Sequence, residues 1–321
     1  MGGTMDRNLA LEVVRVTEAA ALYASRYMGR GDEELANHSA IEAMAKVFSS
    51  VAIDGRIIIA GNDANTTPLG MGSTVGNKNG PEGDVAVDPL DGKTTCASGG
   101  QNAIAAVAIG EKGCFFPAPQ IYMEKIAVGA DAKGVIDITQ SPEINIKRIA
   151  RAKQKYIEDI TVCVLDRDRH VELIQRIRKT GARIKLIKDG DISGAIAAGM
   201  ESKSIDVLMG VGGAMQGILA AAALKCINGD LQARFVYRNA EDERLIRETG
   251  ESDLEKIYSI NDLVKGDNVM FSATGVTDGE LLPGVRFYSG GAETHSIVMR
   301  AKTHTMRFIT AMHQFDYKPL Y

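Results

Sequence analysis

Apolar residues open this chain at helical spacing. Leu9, Val13, Val16, Ala20 and Tyr23 fall on one stripe and predict a helix over residues 6–28. Gly29-Arg30-Gly31-Asp32 interrupts the pattern, and Ala40, Met44, Val47 and Phe48 then mark the inward face of a second helix over 33–50. The run from Arg56 to Ala60, with three isoleucines, reads as a buried strand. Residues 61–83 are rich in Gly, Asn and Thr without a clear period, which predicts a long loop of the kind that compact proteins keep for function. Further strands are expected at 84–88, 102–109 and 123–129.

The pattern changes near residue 150. Strands at 159–165, 183–188 and 205–209 alternate with helices at 168–180, 191–199 and 213–225, the rhythm of a parallel α/β sheet. Three polar clusters follow those strands: Asp166-Arg167-Asp168-Arg169-His170, Asp189-Gly190-Asp191, and Gly210-Val211-Gly212-Gly213. Open α/β sheets bind ligands beyond the carboxyl ends of their strands, so the three loops predict one site. The glycines of the third cluster, opening a helix, read as a phosphate cradle. The tail returns to strands at 268–273, 284–288, 294–300 and 305–312. Two domains are therefore expected. Residues 1–150 form the first and 151–321 the second, which receives the C-terminal strands.

Composition narrows the function classes. The 321 residues are 45% hydrophobic and 24% charged with a net charge of −4, a globular balance that lacks the basic face of a nucleic-acid binder. No apolar stretch is long enough to span a membrane, and no signal-peptide pattern opens the chain, so no membrane partner and a cytoplasmic location are expected. Cys96, Cys114, Cys163 and Cys226 lie far apart, which speaks against zinc and against a disulfide framework.

The most informative chemistry lies in Asp84-Val85-Ala86-Val87-Asp88-Pro89-Leu90-Asp91-Gly92-Lys93-Thr94-Thr95. An alternating strand ends on one aspartate, proline stops the ladder, and a second aspartate follows three residues on. Two carboxylates aimed at one point suit a hard divalent cation, and the backbone N–H groups beside them suit phosphate. An ordinary turn would also use Asp-Pro and Asp-Gly, but the whole run at a strand end favours metal-assisted chemistry on a phosphate ester.

The run resembles the Asp-Pro-(Ile/Leu)-Asp-Gly-(Thr/Ser) signature of lithium-sensitive, metal-dependent sugar and inositol phosphatases. The chain as a whole is similar to class II fructose-1,6-bisphosphatases of the GlpX type. The likeness includes Arg15-Val16-Thr17-Glu18-Ala19-Ala20, Gly29 to Asp32, Tyr122-Met123-Glu124-Lys125, Asp189 to Asp191 and Ser272-Ala273-Thr274-Gly275-Val276-Thr277. This resemblance implies a layered α/β/α/β/α sugar-phosphatase fold and a homo-oligomer, dimer or tetramer. It also implies hydrolysis of the 1-phosphate of fructose 1,6-bisphosphate or sedoheptulose 1,7-bisphosphate with Mg²⁺ or Mn²⁺.

The resemblance also assigns residues. Of five acidic metal positions, Asp88 and Asp91 are kept, whereas Asn37, Gly61 and Gln216 stand at the other three, with Asp63 at a neighbouring glutamate. Lys93 replaces the threonine that positions the attacking water, and Thr94 is adjacent. Catalysis is thus assigned to Asp88, Asp91, Lys93 and Thr94. Substrate contacts fall on Asp91, Gly92, Lys93, Tyr122, Arg167, Asp168, Arg169, Asp189, Gly190, Asp191 and Gly213.

Two divalent ions carry about four positive charges and need several anionic oxygens. Asn, Gly and Gln supply none, so at most one tight metal site is expected without substrate. Lys93 could take over part of a cation's role, serve as nucleophile or base, or face solvent. Two further readings follow: a diverged relative doing different chemistry on a sugar phosphate, and a catalytically dead sugar-phosphate-binding homologue. His170 is expected to border the site. His295, His304 and His313 are expected to be structural or interfacial, and Asn37-His38 to cap a helix.

Overall fold

The structure is a computed structural model that describes residues 8–61 and 67–317; Asp63 lies outside the described residues. Helices α1 (Leu9–Ala24) and α2 (Glu33–Phe48) come first, and Asp32 caps α2 by accepting from the Leu35 N–H at 2.9 Å. Then follow β1 (Asp54–Ile59), β2 (Thr74–Val75), β3 (Glu82–Asp91), the short α3 (Lys93–Ser98) and β4 (Ile104–Gly110).

The chain next builds a second sheet. Its strands are β5 (Tyr122–Val128), β6 (Thr161–Leu165), β7 (Arg183–Ile187), β8 (Val207–Gly213), β9 (Asp230–Val236) and β10 (Tyr258–Ser259). Its helices are α4 (Pro142–Ala152), α5 (Val171–Lys179), α6 (Asp191–Ala198), α7 (Ala214–Cys226), α8 (Ala240–Glu248) and α9 (Ile260–Leu263). The strand order is β10-β9-β5-β8-β6-β7.

The last strands are β11 (Met270–Gly275), β12 (Arg286–Tyr288), β13 (Gly291–Arg300) and β14 (Thr305–Gln314). They return to the first sheet, whose order is β12-β13-β11-β4-β3-β1-β2 with β14 on the outer edge of β13. This corrects the expectation that the second half keeps them. β11 pairs antiparallel with β4 from Met270↔Ile109 to Gly275↔Ile104, and both strands are buried on both faces, as central strands are. The chain passes from one sheet to the other between Gly110 and Tyr122, so residue 150 lies inside α4, well within the second sheet's elements.

Alternation along the strands sorts side chains into three cores. Val85 and Val87 pack with α1 and α2, whereas Ala86 faces the interior between the sheets. In the second sheet, Val162 and Val164 pack under α4 and α5, whereas Cys163 faces that same interior. The interior is filled by α6 and α7, and the Ala220–Ala223 run of α7 is wholly buried. Small side chains let both sheets approach this helix closely. The result is the α/β/α/β/α layering, and the fold class is α/β.

Two family-like motifs belong to this scaffold. Thr17 of α1 meets Ser272 (3.1 Å) and Thr274 (2.8 Å) of β11, and Thr274 meets Ser296 of β13 at 2.8 Å. Buried hydroxyls satisfy one another there, which fixes how α1 sits on the sheet.

Three further readings change. The second sheet is mixed: β6 runs parallel to β7 and β8, but β5 is antiparallel to both β8 and β9. Gly210 to Gly213 are ladder residues of β8 paired with Tyr122 to Lys125 rather than a loop, and only Gly213, the N-cap of α7, stands at the helix start. The 168–180 helix divides into a 3₁₀ turn over Asp168–His170 and then α5.

Candidate active site

The site begins with an irregularity in β3. Opposite β4, the register runs from Asp88↔Ala106 to Asp91↔Ile104, so β3 carries one extra residue. Residues three apart on a regular strand point to opposite faces; a bulge removes that constraint. Pro89 cannot donate to a ladder, and the bulge is where a sheet tolerates it. Asp88 and Asp91 consequently line one cavity of about 220 Å³, together with Asn37, Gly61, Lys93 and Gln216. Gly92 then turns the chain into α3 at φ +93°, where a Cβ would lie 3.0 Å from Ala103 Cα.

A second cavity of about 490 Å³ adjoins the first and shares Asp91, Asp189 and Gln216 with it. Tyr122, Arg167, Arg169, Asp191, Gly213 and Arg238 add to its wall. Two guanidinium groups lie over the Tyr122 ring, Arg169 at 4.9 Å and Arg238 at 4.8 Å from its centre. Arg169 also donates to the Val211 carbonyl at 2.8 and 3.1 Å, and Arg238 pairs with Asp242 at 3.0 Å. These contacts hold both arginines in place before any ligand arrives.

Four aspartates meet at the shared wall. Burial, chiefly, pushes Asp88 up to about 6; the Gln216 amide, donating at 2.8 Å, works against this, and Asp189 and Asp191 add to it. Asp91 lies well above the usual carboxylate range, first through burial and then through Asp88, Asp191 and Asp189. Burial likewise raises Asp189. The counter-charge is Lys125, which is buried, pairs with Asp191 and donates to the Gly213 carbonyl at 3.0 Å. Gly212 permits this approach, because a Cβ there would come within 2.1 Å of Asp191 Oδ2.

The profile of bacterial, glpX-encoded fructose-1,6-bisphosphatases matches residues 7–313. The chain belongs to this family. Relatives named D-fructose 1,6-bisphosphatase class 2/sedoheptulose 1,7-bisphosphatase occur in Synechococcus. One from strain JA-2-3B'a(2-13) is 40% identical, with 97% of each chain covered. One from Synechococcus elongatus is 38% identical, covering 97% of this chain and 98% of its own.

Against that background the assigned residues divide. Asp88, Asp91, Gly92 and Lys93 line the first cavity, and Tyr122, Arg167, Arg169, Asp189, Asp191 and Gly213 line the second. Thr94 lies in neither wall and donates to Glu33 at 3.1 Å. Asp168 is exposed outside both walls, and Gly190 is the left-handed residue that starts α6. Lys93 is 46% exposed and lies 3.3 Å from Glu34.

His170 is not a free acid or base at the cavity. Its Nδ1–H donates to the Leu165 carbonyl at 2.7 Å while Nε2 accepts the Val211 N–H at 2.8 Å. Burial keeps the ring below its usual pKa, the neutral state those bonds require. Lys125 and Arg238 escape a sequence reading because their roles come from strand pairing: β5 lies between β8 and β9.

The side chains decide how much metal fits. Among the described residues, no group of three or more acidic, histidine or cysteine side chains converges as an ion site. Asp91 Oδ2 is nevertheless buried without a hydrogen-bond partner, an acceptor beside the half-buried Asp88 carboxylate. Two carboxylates completed by phosphate oxygens suit one hard cation. At the other three family positions Asn37 and Gln216 bring no charge, Gly61 brings no side chain, and Gln216 already binds Asp88.

Proposed function

We propose that this chain hydrolyses the 1-phosphate of a ketose bisphosphate, fructose 1,6-bisphosphate or sedoheptulose 1,7-bisphosphate. One observation carries the reading: two cavities share the Asp91–Asp189–Gln216 wall, with paired carboxylates in one and arginines in the other. A substrate bearing a phosphate at each end suits such a pair. Arg167 and Arg169 hold the distal phosphate, and guanidinium groups do so with fixed geometry. Tyr122 and the Asp189 and Asp191 carboxylates contact the sugar, and the ion pair with Lys125 holds Asp191 in place.

Asp88 and Asp91 hold one divalent cation, Mg²⁺ or Mn²⁺. Bound there, such an ion would supply polarisation of the reacting phosphate and a lowered pKa for water. Lys93, at the rim, attracts the same phosphate, and Glu34 holds it there. We assign the chain to the cytoplasm, a reading supported by four free, buried cysteines. Among the described residues, no helix is long and apolar enough to cross a membrane.

A second reading, a sugar-phosphate binder without turnover, is favoured by one contact: the Gln216 amide occupies Asp88 where a family carboxylate would face a metal. A phosphate-release screen over sugar phosphates with Mg²⁺ and Mn²⁺, run beside thermal-shift binding, separates the two. Release that falls at least tenfold in kcat/KM on Arg167→Ala and Arg169→Ala supports the phosphatase. Thermal stabilisation by the bisphosphate without release supports the binder.

A further inference from the structure

Helix α7 starts at the candidate active site and ends at a different polar cavity. Ala214 and Gln216 line the active-site cavity, and Lys225 lines the far one. Thirteen residues of helix separate the two by about 20 Å.

The far cavity is large, about 570 Å³, and its wall holds Lys133, Lys225, Lys302 and His304. In a chain of net charge −4, this is a local concentration of positive charge. The hydrogen bonds of two of these lysines go to neutral oxygens. Lys133 donates to the Asn228 side-chain carbonyl and Lys225 to that of Asn261, each at 2.6 Å. Two carboxylates share the wall, Glu111 and Asp267, and Glu111 is engaged by the Asn268 amide at 3.0 Å. Lys225 is half-buried, and burial holds its ammonium below the usual lysine range despite Asp267 nearby. An ammonium drawn partly out of water with a neutral partner gains strongly from an anion, because charge-assisted bonds are about twice as strong as neutral ones. His304 adds an imidazole tied to the end of α7, its Nδ1–H donating to the Cys226 carbonyl at 3.2 Å.

We propose that this cavity is a binding site for a small phosphorylated anion, separate from the active site. None of its wall residues belongs to the catalytic proposal, so each can fail alone.

The test uses the full chain and inorganic phosphate as the probe. The five histidines give few imidazole signals, and His304→Gln assigns the one of interest. Phosphate titrated against sodium chloride at matched ionic strength should move the His304 signal saturably. Lys133→Gln with Lys225→Gln should weaken that response at least tenfold while the other histidine signals stay put. Lys302→Gln, at an exposed position that does not threaten folding, should weaken it at least threefold. A His304 signal that phosphate moves no more than chloride does would overturn the proposal. So would an unchanged phosphate response in Lys302→Gln, even if the double variant failed to fold.

Discussion

Single residues at the site carry opposed demands. Asp88 is held near 6 by burial and neighbouring carboxylates, above its ordinary value of 3.8. A raised carboxylate pKa stabilises the fold below the ordinary value, and that contribution is lost as pH climbs through 6. Two units correspond to roughly 3 kcal/mol. Asp88→Asn should therefore gain stability over the native chain between pH 4 and 7 in metal-free urea melts. A difference independent of pH would contradict the assignment. Lys125 poses the reverse case, since its removal leaves Asp191 buried and unpaired. Lys125→Met should cost about 3–5 kcal/mol, and adding Asp191→Asn should recover most of it. Equal losses in the single and double variants would show that Lys125 acts by packing alone. Lys93 is a rim residue, so Lys93→Thr should leave stability within about 0.5 kcal/mol while changing KM for the bisphosphate. An unaltered KM would place its ammonium outside the substrate's reach.

At the scale of elements, the decisive feature is the junction of β3 and α3. Pro89 sits at the bulge and Gly92 in the left-handed turn, and together they bring Asp88 and Asp91 into one cavity. Gly92→Ala should destabilise by about 1–3 kcal/mol, from the backbone strain and the close approach to Ala103, and should weaken metal binding with it. Retained stability and metal affinity would mean the turn relaxes freely. This junction was legible in the sequence because all its signals are local: alternation, Asp-Pro, Asp-Gly. The polar ends of β6 and β7 were legible for the same reason. What stayed hidden depends on pairings far apart in the chain. β11 joins β4 across more than half the sequence, and β5 lies between β8 and β9, which sets Lys125 beside Asp191 and Arg238 beside Tyr122. The glycines of β8 misled because a glycine-rich run reads alike as a loop or as a strand that a buried ion pair must approach.

For the whole molecule, β14 is a long sheet edge. It has ten residues and, among the described residues, pairs with β13 alone, with Phe308 53% and Met312 73% exposed. Long apolar edges invite pairing with another chain, which supports a homo-oligomer. Phe308→Lys with Met312→Glu should lower the sedimenting mass to that of a single chain; an unchanged oligomer would put the interface elsewhere. The central claim is narrower: a family phosphatase that works with a single cation on Asp88 and Asp91. Its most direct test counts Mn²⁺ bound per chain by calorimetry and follows phosphate release from fructose 1,6-bisphosphate in the same preparation. One Mn²⁺ per chain, with release abolished by a chelator and by Asp91→Asn, is the predicted result. Two tight Mn²⁺ ions, or release that survives the chelator, would contradict it.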